Sequence, residues 1–467
     1  MNAEIAATPP AGIAREPFPT WRIALFALGS VGNTVIGSLT GLMTYFYVPP
    51  ETSQAAFPQF VSTATFLGLT IVGLVGYVGG IVAIVLSPVV ASWSDRSRSK
   101  FGRRRVFMLW SLLPISVFSL LLFLPPVDRV SPANAAWLLG VVVLLNVSRT
   151  FYGVANAIAP EFGTTNRIIM LFSTFGAVGW LVGFIIGSQA IFAIKEALMA
   201  AGMSPVGAFR AAVGGLIAVS TILGSLQVAV VDEKRYGSGK SSAISLLPAL
   251  KRAVGNRGFF GYVLTQQVYM WGDQFFQGGL VYFVTLLFGL PESMMLVFGA
   301  AMIGISLLLY PLVNVAEARF GKKALFSLAL AMMIGVMLLI AFSASLPLPK
   351  VALVWAIVGV AAIPSAITGV VPGAIFNEII REDCVRTGIA SEASFNAANS
   401  LITAIPAGFV GLVMPSLLLL GKSPGNPTGA RMVAIVGAAC NLLALVLLRI
   451  LYDEKGIKAS LRERGYK

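Results

Sequence analysis

Histidine is absent from the chain, and cysteine occurs only twice, at Cys384 and Cys440. Without imidazole there is no side chain whose ordinary pKa suits a proton relay at neutral pH, and two thiols supply neither a thiolate metal cluster nor a disulfide framework. Charge is scarce too: Asp, Glu, Lys and Arg make up 11% of the 467 residues. What fills the chain is apolar, with 57% hydrophobic residues and a mean hydropathy of +0.86. That is enough for a dozen spans of about 20 residues each, and it excludes a soluble enzyme. No nucleotide-binding loop, nucleophile elbow or metal-ligand cluster is written in the sequence, so neither enzyme activity nor a metal or other cofactor is expected. The net charge of +14 would suit a nucleic-acid binder, but the cations sit mostly in short connections between apolar runs. This is the positive-inside pattern of a membrane protein, and membrane lipid rather than nucleic acid is the expected partner.

The few charges are concentrated. Trp93-Ser94-Asp95-Arg96-Ser97-Arg98-Ser99-Lys100-Phe101-Gly102-Arg103-Arg104-Arg105 packs six cations, one acid and one glycine into thirteen residues. A hydrocarbon core cannot hold that cluster, so the apolar runs on either side both end here, at a membrane surface. Asp95 follows directly on the first run, where an acid answers a neighbouring helix end or a cation. Gly102 lets the backbone turn sharply before Arg103-Arg104-Arg105 opens the next run. A shorter version recurs: Phe320-Gly321-Lys322-Lys323 repeats Phe101-Gly102-Arg103-Arg104, with Glu317 as a weaker counterpart of Asp95.

Hydropathy divides the chain into twelve runs, 21–48, 65–92, 106–126, 135–161, 168–194 and 209–231, then 259–289, 293–315, 324–345, 351–376, 393–420 and 432–452. The expected fold is an all-α integral membrane protein with twelve transmembrane helices in two pseudo-symmetric six-helix halves. The halves are 21–231 and 259–452, with tails 1–20 and 453–467 and a charged central connection 232–258, in which 244–254 reads as a helix lying on the headgroups or, alternatively, as simple linker. Six cations in the Asp95 loop, six in the central connection, three in 319–323 and five in the C-terminal tail mark one side. The opposite connections carry only Arg129, Lys195, Lys350, and Lys422 with Arg431. Both termini are therefore expected in the cytoplasm. Segment 1–20 lacks the apolar core and cleavage site of a removable signal, so the first span is expected to stay.

The pattern Asp-Arg-x-Gly-Arg-Arg, lengthened by four residues, resembles the loop between the second and third helices of major facilitator superfamily transporters. In its longer form it is similar to the glycoside-pentoside-hexuronide:cation symporters (the melibiose permease group) and the sucrose carriers. Asn377-Glu378-Ile379-Ile380-Arg381-Glu382-Asp383, with Arg386-Thr387-Gly388 and Ser391-Glu392-Ala393, looks like the acidic stretch that follows span ten in that group, read here as a solvated loop. The resemblance implies the major facilitator fold, with halves that rock to expose a midplane site alternately. It implies that Asp95, Arg96, Gly102, Arg103 and Arg104 form a gating loop, and it points to a bacterial inner membrane.

A charge at the centre of a span costs about 2.5–3.5 kcal/mol on insertion scales, so each one needs a reason. Arg149 in span four and Asp273 in span seven are the two that lie there. Asn146, Arg149, Gly153 and Asn156 share one helical face, as do Gln266, Met270, Asp273 and Gln277. Span one carries a weaker stripe of Ser30, Asn33, Gly37 and Thr44, and span ten carries Ser365, Thr368 and Pro372. Tyr269 and Trp271 read as packing. In the resembled transporters spans one, four, seven and ten line the central cavity, so the expected binding set is Asn33, Asn146, Arg149, Asn156, Gln266, Asp273 and Gln277. The planar donor fork of Arg149 suits an anionic or polyhydroxyl substrate, and Asp273 suits a coupling proton. A structural or gating ion pair between the two charges is the alternative.

Sodium-coupled members carry two aspartates on span two where this chain has Ala83 and Ser87, an acid on span four where it has Tyr152, and a lysine on span eleven where it has Ala404. A hard cation needs oxygen ligands that are missing at those positions. The proton is thus the expected coupling ion, with uncoupled transport left open. The expected activity is secondary active transport of a small polar solute, a sugar, glycoside or hexuronide. The alternatives are a carrier of lysolipids or other amphiphiles, and a membrane assembly protein with no transport cycle. Glu161 reads as a cap on loop 163–167, with a place in a proton path as the alternative.

Overall fold

A chain in hydrocarbon has to satisfy every backbone N–H and C=O by itself, which makes each apolar run a helix. A computed structural model describes residues 18–463 apart from 53–54, 98, 100–101, 103, 157–161, 163–165, 237–254, 388–394, 397, 400–401 and 403–407. Arg103, Glu161, the headgroup helix expected at 244–254, Ala404, residues 1–17 of the N-terminal tail and 464–467 of the C-terminal tail lie outside the described residues, as does the side chain of Asp95.

Span one is Thr20–Gly41 continued by Met43–Tyr47, and a hairpin of Thr65–Phe66 with Leu69–Thr70 leads into span two, Ile71–Arg96. Spans three, four and six are Arg105–Leu121, Pro132–Asn156 and Pro205–Val230. Span five is Asn166–Ile185, a π turn Ile186–Ala190, and Ile191–Ala200. Spans seven to ten are Arg257–Tyr282 with a π turn Phe283–Leu287, Met294–Phe320, Lys322–Ala341 and Lys350–Thr387. Phe409–Leu418 belongs to span eleven, Thr428–Leu451 is span twelve, and Glu454–Glu463 follows as a short amphipathic helix.

Among the described residues, nine helices are long and apolar enough to cross a bilayer, and Arg105–Leu121 and Phe409–Leu418 are shorter apolar ones. Span seven completes the twelve, although its glutamines and Asp273 keep it out of the apolar set. Large apolar side chains such as Trp110, Leu308 and Ile450 stand exposed on the outside, as a lipid-facing surface requires.

The packing repeats as the sequence does. Span one lies on span six as seven lies on twelve, two on four as eight on ten, and three on four as nine on ten. Between the halves, span two packs on span eleven and span five on span eight. The end of the bundle that carries the Asp95 loop is called the basic end here, and the other the far end.

Several expected boundaries move, and span two starts at Ile71 rather than at 65 because 65–70 form the hairpin. Span two runs on through Trp93 to Arg96 and span three begins at Arg105, so only residues 97–104 connect them. Span ten does not stop at 376: nothing after Phe376 breaks a helix, and 377–387 continue it rather than forming a loop. Span five likewise passes the expected end at 194 and reaches Ala200, so Lys195 belongs to the helix and not to the connection.

Candidate functional site

Four polar stripes sit on the half-exposed faces of their helices: Asn33 and Gly37 on span one, Asn146, Arg149 and Asn156 on span four, Gln266, Asp273 and Gln277 on span seven, and Ser365 and Thr368 on span ten. Arg149 lies against span one, where a Cβ at Gly37 would stand 2.9 Å from its terminal nitrogen. That glycine leaves the room the guanidinium occupies. Gln277 faces the Asp273 carboxylate from one turn further along, and Tyr269 sits between Asp273 and Thr368 of span ten. Among the described residues Arg149 and Asp273 form no ion pair, with each other or with anything else. Two long polar side chains here keep a spare acceptor, since the Oε1 atoms of Gln266 and Gln277 are buried with no hydrogen-bond partner.

The remaining expected residues are bound up in packing. Asn146 Nδ2 donates to Val142 O at 2.9 Å, and Asn156 Oδ1 accepts from Gln227 Nε2 at 2.7 Å. Gln227 in turn accepts from the buried Tyr152 hydroxyl at 2.5 Å, which fastens span four to span six. Trp271 packs on Phe409 at 4.5 Å and Tyr269 on Phe326 at 5.6 Å, so both aromatics serve contacts between helices.

A cavity of about 360 Å³ lies between the halves towards the far end, walled by spans one, two, five, seven, eight and eleven. Thr44, Ser188, Gln189, Gln274 and Gln277 give it neutral polar groups, and Tyr45 closes one side. Of the expected binding set, Gln277 lines this cavity, and the other six residues do not. Gln189 is 1% exposed with an unpartnered Oε1, held in the π turn of span five against Gly299 of span eight.

Arg149 and Asp273 are not the only charges inside the bundle. Lys195 and Glu292, 1% and 2% exposed at their side chains, pair at 2.5 Å across the two halves, and the Tyr45 hydroxyl contacts both, donating to Glu292 Oε1 at 2.7 Å and accepting from Lys195 Nζ at 2.7 Å. Sequence reasoning missed them because each looks like a lone charge in a short connection. The signal was the absence of any helix breaker between Ile194 and Gly202.

At the basic end the repeated motif has a physical basis. Gly102 has φ +111° and Gly321 has φ +85°, conformations that favour glycine. The backbone N–H that follows each turn is held by an acid that comes just after the last span of the same half. Arg104 N donates to Glu233 Oε1 at 2.7 Å, while Lys322 N and Lys323 N donate to Glu454 at 3.0 and 2.9 Å. Arg96 stands exposed at the foot of span two. Glu317, the counterpart expected for Asp95, faces Lys322 Nζ at 3.6 Å, and that lysine pairs more closely with Glu378 at 2.8 Å.

Residues 25–450 match the model of a family described as MFS/sugar transport protein. No curated protein sequence matches the chain. Among solved structures, a bacterial homologue of the human lysosomal transporter Spinster, in an inward-facing and occupied conformation, superposes with a TM-score of 0.65 at 12% identity, covering 97% of this chain and 100% of its own. The nucleoside transporter NupG gives 0.61 at 14% identity, covering 93% and 99%, and a D-xylose-proton symporter gives 0.60 at 16%, covering 94% and 98%. At these identities the likeness is one of fold.

Proposed function

The chain belongs to the MFS/sugar transport protein family, and from that premise we propose that it carries a small polar solute, a sugar, glycoside or hexuronide, together with a proton. It is an integral membrane protein with the major facilitator fold and a secondary transporter rather than an enzyme. The solute class and the proton are the proposal, and so is the orientation, with the basic end and both termini in the cytoplasm.

One observation carries the reading: Arg149 and Asp273 both stand on half-exposed inner faces and, among the described residues, have no ion-pair partner. An unpaired charge at that depth is costly, and a cost retained in each half is accounted for by a ligand and a proton that come and go. Arg149 offers a bidentate donor fork to a carboxylate or vicinal hydroxyls. Asp273, beside the Gln277 amide, offers one exchangeable proton site. Gln266 and Gln277, with spare acceptors, suit hydroxyl donors of a sugar. The solved D-xylose-proton symporter shows that this fold accommodates such a cycle.

The test is uptake into proteoliposomes of glucuronides and neutral glycosides, driven by an imposed pH gradient. Asp273→Asn is expected to abolish accumulation while sparing counterflow exchange, and accumulation at the wild-type level would end the proton assignment. In a thermal-shift series, hexuronide stabilisation is expected to vanish in Arg149→Gln. Stabilisation by lysophospholipid alone, unchanged in that variant, would favour an amphiphile carrier instead.

A further inference from the structure

We propose that Tyr45, Lys195 and Glu292 form the far-end gate of the carrier, a polar latch that closes the roof of the central cavity and has to part in every cycle. The proposal rests on the transport reading for its purpose, though not for its geometry. Lys195 and Tyr45 come from the first half and Glu292 from the connection between spans seven and eight in the second, so the 2.5 Å ion pair spans the plane on which the halves separate. It is buried, hence unscreened, and its surplus donors and acceptors are met by the Tyr45 hydroxyl.

Its surroundings fit a closed door. The hydrogen bonds seen between the halves among the described residues gather at this end: Tyr282 hydroxyl to Val48 O at 2.7 Å, Thr70 N to Ser416 Oγ at 3.0 Å, and Glu51 N to Lys422 O at 2.8 Å. Lys422 and Glu51 add an exposed ion pair at 3.6 Å, worth little in water. Lys195–Glu292 is the buried pair among these contacts, so it holds the largest stake in whether the end stays shut. When the halves rock apart both charges meet water, which repays their solvation and keeps the open state accessible. Tyr45 also lines the cavity, so a bound solute touches a member of the latch.

The experiment measures the distance between spin labels at Arg129→Cys and Gly425→Cys, exposed far-end positions in opposite halves, with Cys384 and Cys440 replaced by serine and alanine. Wild type is expected to show mainly the short distance. Lys195→Met, Glu292→Gln and, more weakly, Tyr45→Phe are expected to raise the long-distance fraction at least about fivefold. Should a single variant leave a buried charge and fold poorly, the neutral double variant Lys195→Met/Glu292→Gln removes the attraction without that penalty and is expected to open as well. The charge-reversed double, Lys195→Glu/Glu292→Lys, is expected to restore the short distance. If the neutral double stays closed like wild type, the pair is packing and the gate is disproved. Labels that move as expected in a protein that fails to take up sugars would leave the gate standing and remove the solute assignment alone.

Discussion

Glu233 and Glu454 do one job six spans apart. Each follows an aspartate and precedes a lysine at the end of its half, and each takes the free N–H groups that open the first turn of a helix beyond a left-handed glycine. The helix end is electropositive, so a carboxylate is the right cap. A hydrogen bond to a charged acceptor contributes about 1.5–3 kcal/mol, and Glu454→Gln, which keeps the shape and loses the charge, is expected to lower the unfolding temperature of the purified protein by a few degrees. Glu233→Gln is expected to do the same in the other half, and the double variant to show the sum, because the two sites share no partner. An unfolding temperature unchanged in Glu454→Gln would show that the loop holds its shape without the cap. The glycine, the cations and the repeat around them were legible in the sequence. Their acidic partner was not, because the donors are backbone N–H groups that every residue but proline carries, and nothing in a side-chain pattern announces them.

Span seven shows what hydropathy reports and what it conceals. Gln266, Gln267, Asp273, Gln274 and Gln277 lower its apolar content, and the helix survives because its other face is buried against span twelve and capped at its start. That cap has a second task. Asn256 Oδ1 accepts from Phe259 N at 3.1 Å, while its Nδ2 donates at 3.2 Å to Asp383, a buried acid in the extended foot of span ten that Arg386 also reaches at 3.0 Å. An N-cap contributes about 0.5–2 kcal/mol, and a buried acceptor that loses one of its donors adds about 1–3 kcal/mol. Asn256→Ala is therefore expected to destabilise more than Ser204→Ala, whose cap on span six holds Gly207 N at 3.2 Å in the open. Equal shifts in thermal unfolding would mean that Asp383 does not depend on Asn256. Hydropathy placed the twelve helices but not their ends at Ala200 and Thr387, since Lys195 and the charges of 377–383 read as connections. The stretch 377–383 carries charges that read as a loop by composition and fold as helix because no breaker interrupts them.

At the scale of the whole molecule, the packing among spans one to six repeats among seven to twelve and makes each half a packed unit, and among the described residues the hydrogen bonds between them gather at the far end. The two-half plan was readable from a four-residue repeat at equivalent positions, and so were the two central charges. The cavity was harder to foresee, because most of its wall comes from neutral residues, such as Gln189 and Gln274, that no charge pattern singles out. It begins beside Asp273, whose neighbours Gln274 and Gln277 line it, while Arg149 is not part of its wall. The proposed rocking requires the far end to part, so fixing it shut is expected to stop the cycle without touching any of the proposed binding residues. Glu51 and Lys422 meet there, backbone to backbone at 2.8 Å. In a background without Cys384 and Cys440, Glu51→Cys/Lys422→Cys treated with an oxidant or a short bifunctional thiol reagent is expected to lose more than nine-tenths of uptake, on the order of the tenfold that a shift of about 1.4 kcal/mol produces. For the disulfide, dithiothreitol is expected to restore uptake, while each single cysteine variant stays near wild type. Full uptake by a protein shown to be quantitatively cross-linked would mean that the halves need not separate at this end, and the carrier would have to admit its solute by another route.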